Sequence, residues 1–336
     1  MKIPAVSFAV LLCVLSAIRD VRAADAVVAA DGSGQYKSVL DAIAAAPPTA
    51  SAEKPWEIFV KAGTYAEVIY VQREKRFVRL VGENAATTKI TASLAAKMLG
   101  ADGKPLGTFR TATFHLDADD FTVENLTIEN AAGAVGQALA IRVDGDRVVF
   151  RGCRFLGWQD TVLVNRGRQY FVDCHIAGAT DFIFGGATAF FENCEIHCAG
   201  NGYITAASTP LEQSYGFVFR RCRIAGASAE VKTYLGRPWR DHAAVAFVEC
   251  EMSDVVRPVG WHNWSRPERE KTSRYSEYGN TGPGAKREER VSWMRTLTAA
   301  EAEKLTPQEV LRGTDDWNPV AKATGATPLS VSTPSP

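Results

Sequence analysis

The sequence lacks an excess of charge of either sign. Among its 336 residues, 38 Lys and Arg are matched by 38 Asp and Glu, so the formal net charge is zero. A neutral chain has no general electrostatic field for polyanions. Charge therefore gives no reason to expect nucleic acid or an anionic membrane surface as a partner, and neither is predicted.

Long apolar runs and cysteines are also scarce. Seven cysteines are too few for a fold built on disulfides. The apolar run at residues 5–18 is shorter than the roughly 20 residues that a transmembrane helix needs. It follows Lys2 and precedes Val21-Arg22-Ala23, a small-x-small sequence typical of a signal-peptide cleavage site. We therefore predict a signal peptide over residues 1–23 and a secreted protein, in the medium, a cell wall or the periplasm, without membrane contact after cleavage.

Two common catalytic patterns are missing. Cys194 and Cys198 have no matching Cys or His pair at the spacing of zinc ligands, so no metal site is expected. The chain also contains no Gly-x-Ser-x-Gly segment, which argues against a serine esterase.

The sequence does contain an internal repeat. Five segments place Phe three residues before a Cys and a large apolar residue two residues after it, and a sixth copy has Leu in place of Cys. Intervals between the central residues are 27, 21, 20, 28 and 28 residues. These central residues are Leu126, Cys153, Cys174, Cys194, Cys222 and Cys250.

Each copy is a short run rich in β-forming residues, bounded by turn residues and without a 10–15-residue amphipathic helix. This pattern predicts an all-β fold, a right-handed parallel β-helix with one repeat per coil. The cysteines then form an interior ladder and pack as small hydrophobic groups. The spacing of about 4.8 Å between coils would also allow a disulfide, and Cys198, outside the frame, could pair. An antiparallel sandwich is the alternative, but it gives no reason for one repeated frame.

The predicted β-helix occupies a single catalytic domain over residues 24–327. Residues 38–46 are expected to form a short helix that caps one end of the solenoid. Residues 298–311 are expected to form one C-terminal helix that begins with a capping box. The charged, Gly- and Ser-containing residues 263–290 are predicted to form a long exposed loop, and residues 328–336 a disordered tail.

The repeat aligns two carboxylates. Asp160 lies seven residues after Cys153, and Asp181 lies seven residues after Cys174. On stacked coils the two aspartates would be one strand spacing apart, roughly 4.8 Å. Two carboxylates at that distance cannot both ionise easily, so one would serve as an acid and the other as a base. The alternative is a pair of exposed turn aspartates with water between them.

Other polar residues lie near the same phase of the repeat. Gln137 is on the preceding coil and Gln159 adjoins Asp160. A Gln amide can donate hydrogen bonds to a developing oxyanion. Arg237 could hold a carboxylate ionised through a bidentate pair. Each of these residues alone is equally compatible with a surface or structural role.

Five motifs carry a resemblance to a known family. They are Gly63-Thr64-Tyr65-Ala66-Glu67, Gly136-Gln137-Ala138-Leu139-Ala140, Gln159-Asp160-Thr161, Asp181-Phe182-Ile183-Phe184-Gly185 and Leu235-Gly236-Arg237-Pro238-Trp239. In order and spacing they resemble the pectin methylesterase (pectinesterase) family, over nearly the whole chain after the signal peptide. The family fold is a right-handed parallel β-helix, which agrees with the fold that the repeat predicts.

The resemblance implies roles for the polar residues. Asp181 would be the nucleophile that attacks the methyl ester of a galacturonate unit. Asp160 would be the acid that protonates the departing methanol, and then the base that activates water. Gln137 and Gln159 would stabilise the oxyanion, and Arg237 would keep Asp181 ionised. Such covalent carboxylate catalysis needs one ionised carboxyl group, one neutral one and an anion site.

The resemblance also implies how substrate is held. Trp239 and Trp261 would stack on sugars, and Phe184 would form a wall of the cleft. The expected partner is methyl-esterified pectin polysaccharide, bound by a monomer without a metal or organic cofactor.

Two other functions stay open at this point. A pectin-cleaving glycosidase on the same solenoid would also use paired carboxylates, although the Gly-His-Gly and Arg-Ile-Lys motifs of β-helix polygalacturonases do not occur here. A non-catalytic polysaccharide-binding solenoid is the alternative of a different class. Methanol release, measured beside chain length, separates the three.

Overall fold

The structure is a computed structural model that describes residues 22–320 and 329–330. Its parallel strands wind into a right-handed β-helix, which confirms the predicted fold class. The predicted signal peptide up to residue 21, and most of the predicted tail, lie outside the described residues. Arg22–Ala23 pairs with Leu329–Ser330. In the described part, no helix has the length and apolarity that a bilayer span requires.

Eleven parallel strands form one wall of the solenoid, called the back wall. In chain order they are Ala26–Val28, Trp56–Val60, Val78–Gly82, Thr122–Glu124, Val148–Arg151, Arg168–Val172, Thr188–Glu192, Phe217–Arg220, Ala244–Val248, Arg274–Tyr278 and Arg295–Thr296.

A sheet of thirteen strands forms the other two walls. The cleft wall contains Ile69–Val71, Phe114–Leu116, Ile141–Val143, Val162–Val164 and Thr233–Gly236. The side wall contains Gly63–Ala66, Thr88–Ala92, Thr127–Asn130, Arg154–Leu156, Arg223–Gly226 and Glu251–Met252. Two long strands, His175–Gly185 and Glu195–Ala207, run around the corner and belong to both.

The repeated frame fills the core. The six ladder residues, Leu126 and the five cysteines, are each at most 2% exposed. Phe residues three positions earlier stack face to face, with ring centroids 4.6 Å apart for Phe150 and Phe171 and 4.7 Å for Phe171 and Phe191. All six cysteines of the described part are free thiols. The cysteines therefore act as small core residues, and Cys198 is buried without a disulfide.

A left-handed backbone turn precedes each ladder residue. The turn links the back wall to the side wall, and φ there lies between 52° and 56°. The residues are Asn125, Gly152, Asp173, Asn193, Arg221 and Glu249. Asn, Asp and Gly tolerate this conformation because of their short side chains, whereas Arg and Glu do so at a cost. The left-handed backbone at these positions therefore explains why Asn, Asp and Gly occur there in the sequence.

A short helix closes the N-terminal end, as predicted. Helix α1 is Val39–Ala44, with Ser38 as N-cap. Its residues Val39 and Ile43 are buried and pack against the first coils. The carboxylate of Glu67 accepts the backbone N–H groups of Val39 and Leu40, which satisfies donors at the helix start.

The prediction of one C-terminal helix over residues 298–311 is wrong. Two helices occur, α2 at Ala299–Glu303 and α3 at Pro307–Leu311. The predicted capping box of Thr298 is present. Pro307 interrupts the helix because it lacks an N–H and disfavours helical backbone at the residue before it. The two helices cover outward side chains of the back wall, such as Tyr170.

The predicted exposed loop over residues 263–290 is also wrong. This segment holds a 3₁₀ helix, Pro267–Lys271, the back-wall strand Arg274–Tyr278 and a second 3₁₀ helix, Pro283–Ala285. Two of the charges that suggested exposure form a buried ion pair. The side chains of Arg290 and Glu277 are 2% and 1% exposed and lie 2.9 Å apart at the C-terminal end of the core. Arg290 also donates to three backbone carbonyls, which compensates for its burial.

Replacing Glu249 by Asn is expected to stabilise the fold. Glu249 has a φ of 55°, a conformation in which Asn is less strained. Its exposed ion pair with Arg220, at 3.3 Å, contributes little. We expect the free energy of unfolding to rise by about 1 kcal/mol, measured by urea denaturation. The matched control Asn193→Ala, at the equivalent turn, should lower it, and an unchanged value in both variants would contradict this account.

Candidate active site

The two predicted aspartates lie side by side at one corner of the solenoid. Gln159 and Thr180 form a parallel bridge, and the N–H of Asp160 donates to the carbonyl of Thr180 at 3.0 Å. Asp160 and Asp181 follow those bridged residues directly and therefore lie one strand spacing apart, about 4.8 Å. The register that the repeat predicted is the register observed.

Both aspartates have left-handed backbone conformations. Their φ angles are 64° for Asp160 and 51° for Asp181. Asp tolerates this region better than most residues, but the conformation is still strained. It occurs where the side wall bends into the cleft wall, and the next residue, Phe182, is fully buried. The turns between the back wall and the side wall have the same conformation, so it belongs to a corner of the coil and does not by itself identify a functional site.

Arg237 pairs with only one of the two carboxylates. It follows the cleft-wall strand Thr233–Gly236, and its N–H donates to the carbonyl of Thr205. Its Nε donates to Asp181 Oδ1 at 2.9 Å and its Nη2 to Asp181 Oδ2 at 2.6 Å. A bidentate pair of this kind favours the ionised carboxylate.

The two carboxyl groups therefore have unequal electrostatics. Burial, and then the charge of Asp181, raise the pKa of Asp160 to about 8. Burial also raises the pKa of Asp181, but the hydrogen bonds and charge of Arg237 oppose that rise. At neutral pH, Asp160 is protonated and Asp181 is the member of the pair that ionises first. Within one strand spacing, the site therefore holds one carboxyl group that can donate a proton and one carboxylate that can act as a nucleophile.

The two predicted glutamines stack on the same corner. Gln137 bridges to Gln159, which in turn bridges to Thr180. Gln159 also hydrogen bonds Asp160, which opposes the rise of its pKa. Gln137 and Gln159 both line the cleft beside the aspartates, where an amide N–H can reach a substrate oxygen.

A cleft of about 300 Å³ contains these groups. Of the predicted substrate-binding residues, Trp239 and Phe184 line it, with ring centroids 5.8 Å apart at 62°. Eleven residues line the cleft: Thr108, Phe109, Gln137, Gln159, Asp160, Asp181, Phe184, Ala206, Arg237, Trp239 and Trp264.

The prediction that Trp261 stacks on sugars in the cleft is wrong. Trp261 is 1% exposed, packs against Tyr275 in the core at a tilted angle and donates its indole N–H to Glu277 at 3.0 Å. Its backbone pairs with Gly236, which continues the coil and directs the side chain inward. Trp264, in the same sequence motif, lines the cleft instead. The motif was informative, but the side of the wall that each Trp faces was not predictable from it.

Sequence reasoning also missed Tyr203 and Phe109. Tyr203 lies in the corner strand Glu195–Ala207, with its ring 3.8 Å from the guanidinium carbon of Arg237. Phe109 is half exposed and also lines the cleft. Tyr203 is the register partner of Thr180, a relation that extending the ladder by one coil would have revealed. Phe109 is in a 3₁₀ turn outside the repeat, where no phase could be assigned.

One cluster outside the cleft has the composition of a metal site. His115, Asp117 and Asp144 bring their ligand atoms within 4.8 Å of one another. Asp144 already accepts hydrogen bonds from Arg142 and Asn165, each at 2.6 Å. The neighbouring Arg cation opposes a further cation, so these residues fit an ion-pair network better than a metal.

Comparison with known proteins agrees with this geometry. A model of the family described as Pectinesterase matches residues 25–314. Pectinesterase 31 of Arabidopsis thaliana is 41% identical over 82% of this chain and 88% of its own. The chain spans about half the length of curated relatives whose names also include a pectinesterase inhibitor.

Two solved structures are similar over nearly the whole chain. Pectin methylesterase from carrot has a TM-score of 0.82 and 36% identity, covering 92% of this chain and 98% of that one. A pectin methylesterase in complex with a hexasaccharide has a TM-score of 0.77 and 32% identity, covering 89% of this chain and 99% of that one.

The variant Asp160→Asn is expected to remove a pH-dependent loss of stability. The folded pKa of Asp160, about 8, lies above its ordinary value of 3.8, so wild-type stability falls as pH rises from about 4 to 8. Asn carries no such proton. At pH 8 the variant should exceed the wild type in free energy of unfolding by at least about 1 kcal/mol, and the difference should vanish near pH 4. Denaturation at both pH values tests this, and a pH-independent difference would contradict it.

Proposed function

The chain belongs to the pectinesterase family, and we propose that it removes methyl esters from galacturonate units of pectin, with Asp181 as nucleophile and Asp160 as acid and base. These roles rest on the difference in electrostatics between the carboxyl groups of Asp181 and Asp160. Arg237 binds Asp181 through two hydrogen bonds, whereas the pKa of Asp160 is raised to about 8. The names of the relatives support the substrate, since two of the solved neighbours are described as pectin methylesterases.

The reaction begins at Asp181. Its carboxylate oxygen attacks the ester carbonyl carbon, and the carbonyl oxygen becomes an oxyanion that the amides of Gln137 and Gln159 stabilise. When the tetrahedral intermediate collapses, the bond to the methoxy group breaks. Asp160 donates its proton to that oxygen, methanol leaves, and an acyl-enzyme anhydride remains on Asp181.

Water completes the cycle. Asp160, now a carboxylate, takes a proton from a water molecule that attacks the acyl carbon. Collapse breaks the bond to Asp181 and releases the galacturonate unit as its carboxylic acid, which then loses its proton to solvent. Asp160 keeps the proton that it took from water. Each group ends as it began, which requires that Asp160 alternate between its two protonation states.

Aromatic side chains would hold the polymer beside these groups. We assign sugar stacking to Trp239 and, in place of Trp261, to Trp264, with Phe184 as the wall between Trp239 and the catalytic corner. Aromatic faces bind the apolar faces of sugars and add little conformational entropy cost. Secretion is part of the proposal and rests on the signal sequence of residues 1–23. A monomer is proposed as the working unit.

The overall activity is tested with methyl-esterified pectin. We expect the wild type to release methanol without shortening the chains, measured by methanol oxidation and size-exclusion chromatography. New reducing ends would indicate a glycosidase, unsaturated ends a lyase, and neither product a binding protein, and each of these would overturn the proposal.

The variant Asp181→Asn should lower methanol release by at least about 10³-fold, because an amide is a poor nucleophile in place of the carboxylate. Asn tolerates the φ of 51°, so the fold should persist. The matched control is Asp173→Asn, an exposed Asp on the same coil with a φ of 54°. Normal activity in Asp181→Asn would exclude it as the nucleophile, and loss in the control would point to a backbone effect.

The variant Gln137→Leu should lower kcat by about 10² to 10³-fold with a smaller change in KM, because the amide acts on the oxyanion rather than on the bound ester. Gln137→Glu, which keeps the length but adds charge near the aspartates, should be at least as poor. Steady-state kinetics on one pectin preparation test this. A rise in KM with kcat unchanged would instead assign Gln137 to substrate binding.

A further inference from the structure

Arg237 is held between two aromatic rings. Its guanidinium carbon lies 3.8 Å from the ring centroid of Tyr203 and 3.7 Å from that of Trp264. Both distances are well inside the range of cation–π contacts. The two rings come from different parts of the chain, Tyr203 from the strand Glu195–Ala207 and Trp264 from the segment after Trp261.

His262 contacts the ring of Tyr203 and the backbone of Trp264. Its ring packs edge-on against Tyr203, with centroids 5.6 Å apart at 60°, and against Tyr234, at 5.3 Å and 62°. Its Nδ1 accepts the backbone N–H of Trp264 at 3.0 Å. Accepting through Nδ1 requires that this nitrogen carry no proton. Burial, and then the charge of Arg237, lower the pKa of His262, which favours that neutral form.

The rings of Tyr203 and Trp264 form a clamp on Arg237, and this clamp limits the mobility of the Arg side chain. A guanidinium on a flexible stem can rotate or slide along a carboxylate, and only its planar edge makes the bidentate pair. Rings on both faces fix the plane in which Nε and Nη2 meet Asp181, and they exclude water from those faces. Less water strengthens the attraction between Arg237 and Asp181.

We propose that Tyr203 and His262 are positioning residues for the reaction, which hold Arg237 in the plane of the Asp181 carboxylate. This inference rests on the proposed function, because it acts through the roles assigned to Arg237 and Asp181. Tyr203 supplies one face of the clamp. His262 fixes the angle of Tyr203 and the backbone position of Trp264, which supplies the other.

Loss of the contacts that hold Arg237 should shift the pH dependence of kcat/KM in one direction. The charged and titratable groups around Asp181 are Asp160 on the adjacent coil, Arg237 on the cleft wall and the buried Tyr275. Tyr203 packs on Arg237, and His262 packs on Tyr203. Burial already raises the pKa of Asp181, and Arg237 opposes that rise. If Arg237 becomes mobile, the pKa of Asp181 rises further. Since Asp181 attacks only when ionised, the acid limb of kcat/KM must move to higher pH.

The test is the pH profile of methanol release by Tyr203→Leu and Tyr203→Phe. In Tyr203→Leu the acid limb should move up by about 0.5 to 1 pH unit, with activity recovered at higher pH. Tyr203→Phe keeps the ring face and should retain the wild-type limb. Tyr70→Leu, on a distant coil of the same wall, is the matched control and should leave the profile unchanged.

His262 is tested by a second pair of variants. His262→Asn offers an amide oxygen near the position of Nδ1 and should keep most of the wild-type profile, whereas His262→Leu should shift the acid limb in the same direction as Tyr203→Leu. Thermal melts verify folding, and Tyr203→Met replaces Tyr203→Leu if the latter does not fold.

The outcomes separate this inference from the proposed function. A folded Tyr203→Leu or Tyr203→Met with an unshifted limb overturns the clamp, while methanol release by the wild type and its loss in Asp181→Asn would still support the function. Absence of methanol from the wild type overturns the function itself. The wild-type Nε–H resonance of Arg237 gives a reading that needs no variant: slow exchange with solvent is expected, and rapid exchange would overturn the clamp.

Discussion

The hydrogen-bonded register between successive coils is the constraint on which the rest of the structure depends. Pairing of Val148–Arg151 with Arg168–Val172 sets Phe150 on Phe171, and the bridge of Gln159 with Thr180 sets Asp160 beside Asp181. The apolar stack and the pair of aspartates are therefore two results of the same register. The core and the site cannot be altered independently, because a slip of one residue would turn every side chain to the other face.

The site is costly for the protein that contains it. Two carboxyl groups are buried and lie close together, and both have strained backbones. Arg237 offsets part of the cost at Asp181, and protonation offsets it at Asp160. What the protein gains is asymmetry between two chemically identical side chains. The solenoid core, continuous from the α1 cap to the Arg290–Glu277 pair, supplies the stability that makes this tolerable.

Within the repeat, the sequence was sufficient to predict structure. Cysteines at 20 to 28-residue intervals established the coil, and a common offset of seven placed Asp160 beside Asp181. Outside the repeat, prediction failed for physical reasons. The side that Trp261 faces depends on a backbone bridge to Gly236. The charge of residues 263–290 predicts exposure, whereas Glu277 is buried with Arg290, a partner thirteen residues away in sequence. The position of Tyr203 beside Thr180 has no signal in the neighbouring sequence and follows only when the ladder is extended by one coil.

The residues of the proposed site lie one to a coil: Gln137, Asp160, Asp181, Tyr203 and Arg237 are on consecutive turns of the solenoid. This arrangement limits how such a chain can change length in evolution. Duplicating a whole turn at either end would extend the spiral and leave the chemistry intact. Inserting one between residues 160 and 181 would double their separation to about 9.6 Å and uncouple the two carboxyl groups. Whole turns can therefore be added by duplication at the ends of the solenoid, but not between residues 160 and 181.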